Sequence, residues 1–185
     1  TGNENTALGY YALKANTVGD RNVSLGSWSL HSFNPGSNAD TYNTAVGYNA
    51  LGSTTTGDKN TAVGGEALAA NTTGTYNTAV GRSCLTAVTT ASNNVAVGNC
   101  MQATTDGGQN TAMGNGALDS NTTASYNCAF GNQAVEQNTT GEYNVGVGYK
   151  ALESNTTGGN NTALGSYALD AATTASNNVA VGYAA

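Results

Sequence analysis

The sequence predicts an all-β fold: a parallel β-solenoid or β-roll built from 17-residue coils. Three observations predict it. A pentad of the form Asn-x-small-apolar-Gly recurs along the whole chain, the recurrences are 17 residues apart, and the composition is dominated by Asn, Thr, Gly, Ala and Ser with only 9% charged residues. The pentad begins at Asn5, Asn22, Asn43, Asn60, Asn77, Asn94, Asn110, Asn127, Asn144, Asn161 and Asn178, with one step of 21 and one of 16 among steps of 17. A period this short lies below the ~20 residues and upward of leucine-rich repeats, helical hairpins and propeller blades. It also lacks the 3.6-residue apolar spacing of a helix.

Numbered from its Asn, the consensus reads N-T-A-V-G-x-x-A-L-x-x-N-T-T-G-x-Y. Positions two and four, such as Thr44 and Val46 or Thr61 and Val63, are β-branched or apolar throughout. They share one side of a strand, and that side is expected to face the core. Gly at position five permits a sharp bend. A second apolar rank follows at position nine, and the Asn-Thr-Thr-Gly stretch supplies turn chemistry. Each repeat therefore reads as one coil of two short strands, stacked on the next at ~4.8 Å. Asn43, Val46, Gly47 and Leu51 are expected to form core and structural columns with Asn60, Val63, Gly64 and Leu68. Residues 1–185 read as a single solenoid of about eleven coils. Neither end carries an atypical capping repeat of the kind that shields a terminal coil, so the chain reads as a segment of a longer fibre.

The other side of the strand carries only Asn at position one and Ala, Ser or Gly at position three. An all-small rank predicts close approach of another chain; the competing reading is that tight neighbouring turns leave no room. A thin roll also has little apolar surface to bury by itself, which favours association.

Composition excludes several function classes. The net charge of −6 with only five Lys and Arg gives no basic footprint for nucleic acid or an anionic membrane. No apolar run approaches the ~18 residues of a membrane span. The three Cys form neither a disulfide framework nor a CxxC zinc motif. With His31 as the only histidine, no His-based metal cluster exists, and no phosphate-binding or dinucleotide-binding glycine motif opens a helix. No catalytic constellation is visible, and the chain reads as a non-enzyme without an obligate cofactor.

The unit Asn43–Tyr48 with Ala50-Leu51 resembles the repeats of tail-fibre-like proteins of phages and marine bacteria. More distantly, the strand-Gly pattern is similar to the head coils of trimeric autotransporter adhesins, although their period is nearer fourteen. The resemblance spans essentially all 185 residues. It implies a left-handed parallel β-roll or related β-solenoid, associated as a homotrimer and displayed outside the cell or on a virion.

Candidate sites lie on the surface. The insertion from His31 to Asp40 neighbours Trp28 and Tyr11, one coil apart in the same rank, and Tyr10 and Tyr48 occupy the adjacent rank. Tyr11, Trp28, His31, Phe33 and Tyr48 are the ligand-binding candidates, an aromatic cluster suited to a sugar face or a protein loop of a host-surface receptor. The competing reading is that these rings shield the roll edge. Asp119, Glu136, Glu153 and Asp170 fall at position ten of successive coils. Like charges so close repel unless they splay into water or a Ca²⁺ or Mg²⁺ ion bridges them. Cys84 and Cys100 share position eight if the one-residue deletion falls just before Cys100, and they read as buried thiols or a disulfide. Cys128 reads as core packing. Asn71, Asn121, Asn138 and Asn155 match a glycosylation sequon, which the repeat explains as turn chemistry.

The leading expectation is a structural fibre or adhesin segment, self-associating and projecting toward a host surface. A secreted filament joined end to end is the alternative. An ice-binding solenoid is a third, weakened because the adjacent threonines of each turn (Thr72-Thr73) point to opposite sides.

Overall fold

The computed structural model describes residues 2–37 and 39–185. Every pentad forms a three-residue strand that ends at its Gly. The strands at this position are β1 (Thr6–Leu8), β3 (Val23–Leu25), β5 (Thr44–Val46), β6 (Thr61–Val63), β7 (Thr78–Val80), β8 (Val95–Val97), β9 (Thr111–Met113), β10 (Cys128–Phe130), β11 (Val145–Val147), β12 (Thr162–Leu164) and β13 (Val179–Val181). They pair in sequence order as one parallel 11-stranded sheet. Its register places identical repeat positions over one another: Thr44 on Thr61, Ala45 on Ala62, Val46 on Val63. Leu51 likewise donates its N–H to Ala67 O, and Leu68 donates to Cys84 O, so the Leu rank also climbs coil by coil. The architecture is the expected all-β parallel solenoid of 17-residue coils.

Glycine at position five is set by the coil above it. Gly64 has φ +135°, and a Cβ there would lie 2.4 Å from the carbonyl oxygen of Gly81. An L side chain meets both a disfavoured backbone conformation and a neighbouring main chain at that point.

The strand faces the opposite way from the expectation. Ala45, Ala62, Ala79, Ala96 and Ala129 are buried, as are Asn43, Asn60, Asn77 and Asn94. Val46 is only half-buried, and Val63 is 37% exposed. Val46 and Val63 are therefore not core residues, whereas Asn43, Asn60, Leu51 and Leu68 are. The small rank is small because it lies inside its own coil, facing the Leu column, and not because another chain presses on it. Gly146 shows how tight this interior is: a Cβ there would meet Val135 Cγ2 at 2.5 Å. Val135 replaces the usual Leu at position nine, and its branched methyl takes the volume that Ala fills in the other coils.

Buried Asn is tolerated because its amide is used fully. Asn60 Oδ1 accepts the backbone N–H of Asn77 at 2.9 Å, and Asn60 Nδ2 donates to Gly74 O at 2.8 Å. The same pair of bonds recurs at Asn77, through Asn94 N and Ala91 O, and at Asn127, through Asn144 N and Gly141 O. Each side chain thus closes its own coil and fastens it to the next, which meets the requirement that buried polar groups be hydrogen-bonded. A second amide column rises at position twelve, where Asn155 donates to Asn138 Oδ1 and Asn138 donates to Asn121 Oδ1. These sequon asparagines are buried, which agrees with their reading as turn chemistry.

The second strand expected around position nine does not form. Leu51, Leu68, Leu85 and Leu118 have φ of +51° to +53°, and a further left-handed residue precedes each of the first three at position seven (Asn49, Glu66, Ser83). Isolated left-handed residues cost about 1–3 kcal/mol each and persist where the surroundings over-determine them. Here the over-determination comes from backbone bonds to the adjacent coil and burial of the Leu side chain. They turn the chain tightly enough for 17 residues to close around a core one side chain thick.

The two irregular coils are absorbed locally. In the 16-residue coil the left-handed residue at position seven is gone, and Met101 at φ +53° keeps the ninth position. In the 21-residue coil the insertion folds back. Phe33 is buried in the position-twelve rank, and Ala39–Asp40 (β4) pairs in parallel with Gly19–Asp20 (β2). Arg21 holds this corner through Glu4 at 2.9 Å, Asp40 and the Tyr42 hydroxyl. Asn38, within the insertion, lies outside the described residues.

Candidate functional site

The aromatic cluster assembles at the first two coils. Repeat stacking sets Tyr11 under Trp28 at position seven, and the rings meet edge to face with centroids 5.0 Å apart. His31, at position ten, tilts against Trp28 at 4.6 Å and lies 5.9 Å from Tyr11. Tyr10 stacks on Tyr11 at 4.1 Å. Lys14, directly below His31 in the repeat, carries its ammonium 4.0 Å from the Tyr11 ring centre, within cation–π range. Trp28 and Tyr11 are 36% and 37% exposed, so each ring is packed on one side and open on the other. The result is a rigid, partly wet aromatic platform with one cation at its edge.

Two of the five sequence candidates do not join it. Phe33 is fully buried and fills the coil interior where the insertion leaves the repeat; its ring abuts the Cβ position of Gly19. It is a core residue, and its earlier assignment to the surface cluster is corrected. Tyr48 is exposed one coil further on and makes no ring contact with Trp28 among the described residues. Tyr10 and Lys14 are the members that sequence reading left out of the site. The signal was present in the repeat phase, since Lys14 and His31 share position ten.

The carboxylates of Asp119, Glu136, Glu153 and Asp170 form the expected column but do not turn toward a common point. Glu153 pairs with Lys150 at 2.8 Å, and that hydrogen bond raises the Lys150 ammonium above its ordinary value. Glu136 accepts from Gln133 Nε2 at 2.9 Å, and Asp119 accepts the N–H of Gln102 at 3.3 Å. Three of the four carboxylates thus each have a hydrogen-bonding partner of their own. Among the described residues no group of three His, Cys, Asp or Glu side chains converges as a metal cage.

Cys84 and Cys100 occupy one column as buried free thiols with sulfurs 3.7 Å apart. Their mutual hydrogen bond, followed by burial, pushes the Cys100 thiol up, and the same bond favours the thiolate at Cys84. Cys128 is half-buried on the outward side of β10, so its reading as core packing is corrected.

The inverted strand creates a feature that the sequence reading placed inside. Positions two and four form an outward face across all eleven strands of the sheet, with Val63, Val80, Met113 and Leu164 exposed along it. Among the described residues no ligand-sized cavity exists, and no helix is long and apolar enough to cross a membrane.

Fold and surface together define a β-solenoid repeat protein with 17-residue coils. No family model, no curated protein and no solved structure matches the chain.

Proposed function

We propose that the chain is a non-enzymatic structural segment of an extracellular fibre, the shaft or head of a virion tail fibre or surface adhesin. It works as a homotrimer and serves as a stiff spacer. The observation that carries the reading is the unbroken sheet and Asn column running through all eleven strands, which make a rod and not a globule. At ~4.8 Å per coil the rod is on the order of 50 Å long. The resemblance of the Asn43–Leu51 unit to tail-fibre repeats supports the same reading. Native mass spectrometry tests it: a trimer is expected, and a monomer at every accessible concentration counts against it.

The Tyr10, Tyr11, Trp28, His31 and Lys14 platform is the receptor contact of this segment, with a sugar face as its ligand. Its open rings, fixed by packing on one side, support that assignment. Aromatic contacts of this kind contribute about 0.5–1.5 kcal/mol each, so Trp28→Ala is expected to weaken binding to a panel of host-surface glycans several-fold without altering the fold. Unchanged glycan binding in Trp28→Ala and Tyr11→Ala sinks the contact while leaving the structural role intact.

An ice-binding role gains one observation, the outward turn of Thr44, Thr61 and Thr78 on a regular sheet. The earlier objection concerned the turn threonines, which are a different set. The column is nevertheless interrupted by Val95 and Cys128, and thermal hysteresis of the purified protein decides the matter.

A further inference from the structure

We infer that copies of this chain meet through the outward face of the eleven-stranded sheet. The inference rests on the reading of the chain as a self-associating fibre segment and names the surface that does the associating. The face is uncharged: from Thr6 and Leu8 to Val179 and Val181, no residue at positions two or four is Asp, Glu, Lys, Arg or His, in a chain of net charge −6. The acidic column at position ten lies outside the strands, so the faces of three chains converge on a common axis without opposing carboxylates on them.

Size points the same way. Ten strand spacings of ~4.8 Å make the face on the order of 50 Å long, and two outward columns with their flanks make it about 15 Å wide. The product, on the order of 750 Å², matches the ~800 Å² per partner of a stable interface.

Pitch selects the occupant. A face ridged at every coil is complemented along its whole length only by another face with the same ridge spacing, and a second copy has that spacing by construction. A partner of different architecture matches a few rungs and then drifts out of step. Ordered water is a poorer occupant because Met113 and Phe130 at position four are larger than the valines paired with them and interrupt a column of equal side chains. A protein face accommodates them by interdigitation.

The test is the double variant Val63→Glu/Val80→Glu in the whole chain, with Thr56→Glu in an exposed turn as control. Both valines are already 37% exposed, so circular dichroism is expected to be unchanged. Like charges facing each other across an interface cost several kcal/mol, so sedimentation should show association weakened by at least ~100-fold in the double variant. The control should associate as the wild type does. A second readout uses the native face: Cys128 should react slowly with iodoacetamide when assembled and faster on dilution. If the wild type assembles and the folded Glu pair assembles equally well, the face is wrong and the fibre reading survives. A Cys128 rate independent of concentration in an assembling wild type overturns the face too. A wild type that is monomeric throughout overturns both, and ice shaping by that monomer would assign the face to ordered water.

Discussion

Gly64 shows how the stacking of coils, more than any local turn, dictates single residues. Its φ of +135° and the 2.4 Å approach of Gly81 O to a notional Cβ act together. Gly64→Ala is expected to cost roughly 3 kcal/mol or more, combining backbone strain of about 1–3 kcal/mol with steric overlap of similar size. Gly65 is the internal control, since a Cβ there meets nothing within 4 Å, and Gly65→Ala should change stability by no more than about 1 kcal/mol. Urea unfolding midpoints of the two variants check this; equal midpoints would remove the stacking argument. Repeat phase made Gly47 and Gly64 legible as structural positions, but it did not reveal which side of the strand is inside. Val46 and Val63 are the more apolar side, and apolar residues usually go in. The rule fails here because the buried Leu column leaves room on the inner side of the strand only for Ala, Ser or Gly and for an Asn whose amide satisfies itself.

At the scale of the element, the columns are the units of stability. The position-twelve amide column is interrupted at Phe33, Val88 and Ala172, and the last two interruptions each leave a buried oxygen unpaired. Asn71 Oδ1 and Asn155 Oδ1 have no hydrogen-bond partner, because the next coils carry Val88 and Ala172 at that position. A buried acceptor left unsatisfied costs about 1–3 kcal/mol. Val88→Asn extends the column: its amide can donate to Asn71 Oδ1 and to Ala91 O, as Asn155 does to Asn138 Oδ1 and Gly158 O. Against this stands the loss of a buried Val side chain, about 1.5–2 kcal/mol. The two effects are expected to cancel to within about 1 kcal/mol in wild type and to leave a clear loss in an Asn71→Ala background, where no oxygen awaits the donor. Equal effects in both backgrounds would refute the column as the cause. The candidate site was legible in the same terms. Tyr11, Trp28 and His31 were found because repeat phase puts them in contact, whereas Phe33 was misplaced because position twelve is mostly Asn or Thr elsewhere, so nothing in its rank marks an aromatic ring as interior. The expected strand at position nine was unreadable, since nothing in a Leu marks it for a left-handed backbone.

For the whole molecule, the consequence of identical rungs is that they are interchangeable. In a stack where each unit touches only its neighbours, stability is close to a sum of unit and interface contributions. Removal of residues 60–76 takes out one complete coil and leaves Asn77 following Lys59. Asn77 N–H can then donate to Asn43 Oδ1 as Asn60 N–H does now at 3.0 Å. Thr78, Ala79 and Val80 can likewise pair with Thr44, Ala45 and Val46. The shortened chain should keep its circular dichroism spectrum and melt within about 5 °C of the parent, and small-angle scattering should show a rod shorter by one spacing of ~4.8 Å. Removal of residues 78–85 is the contrasting case. It deletes a strand and its Leu but keeps the turn, leaving too few residues between Asn77 and Asn94 to close around the core. That variant should lose cooperative unfolding. If the smaller deletion is tolerated while the seventeen-residue one collapses, the coils are not equivalent, and the columns of Asn, Ala and Leu do not hold the rod together.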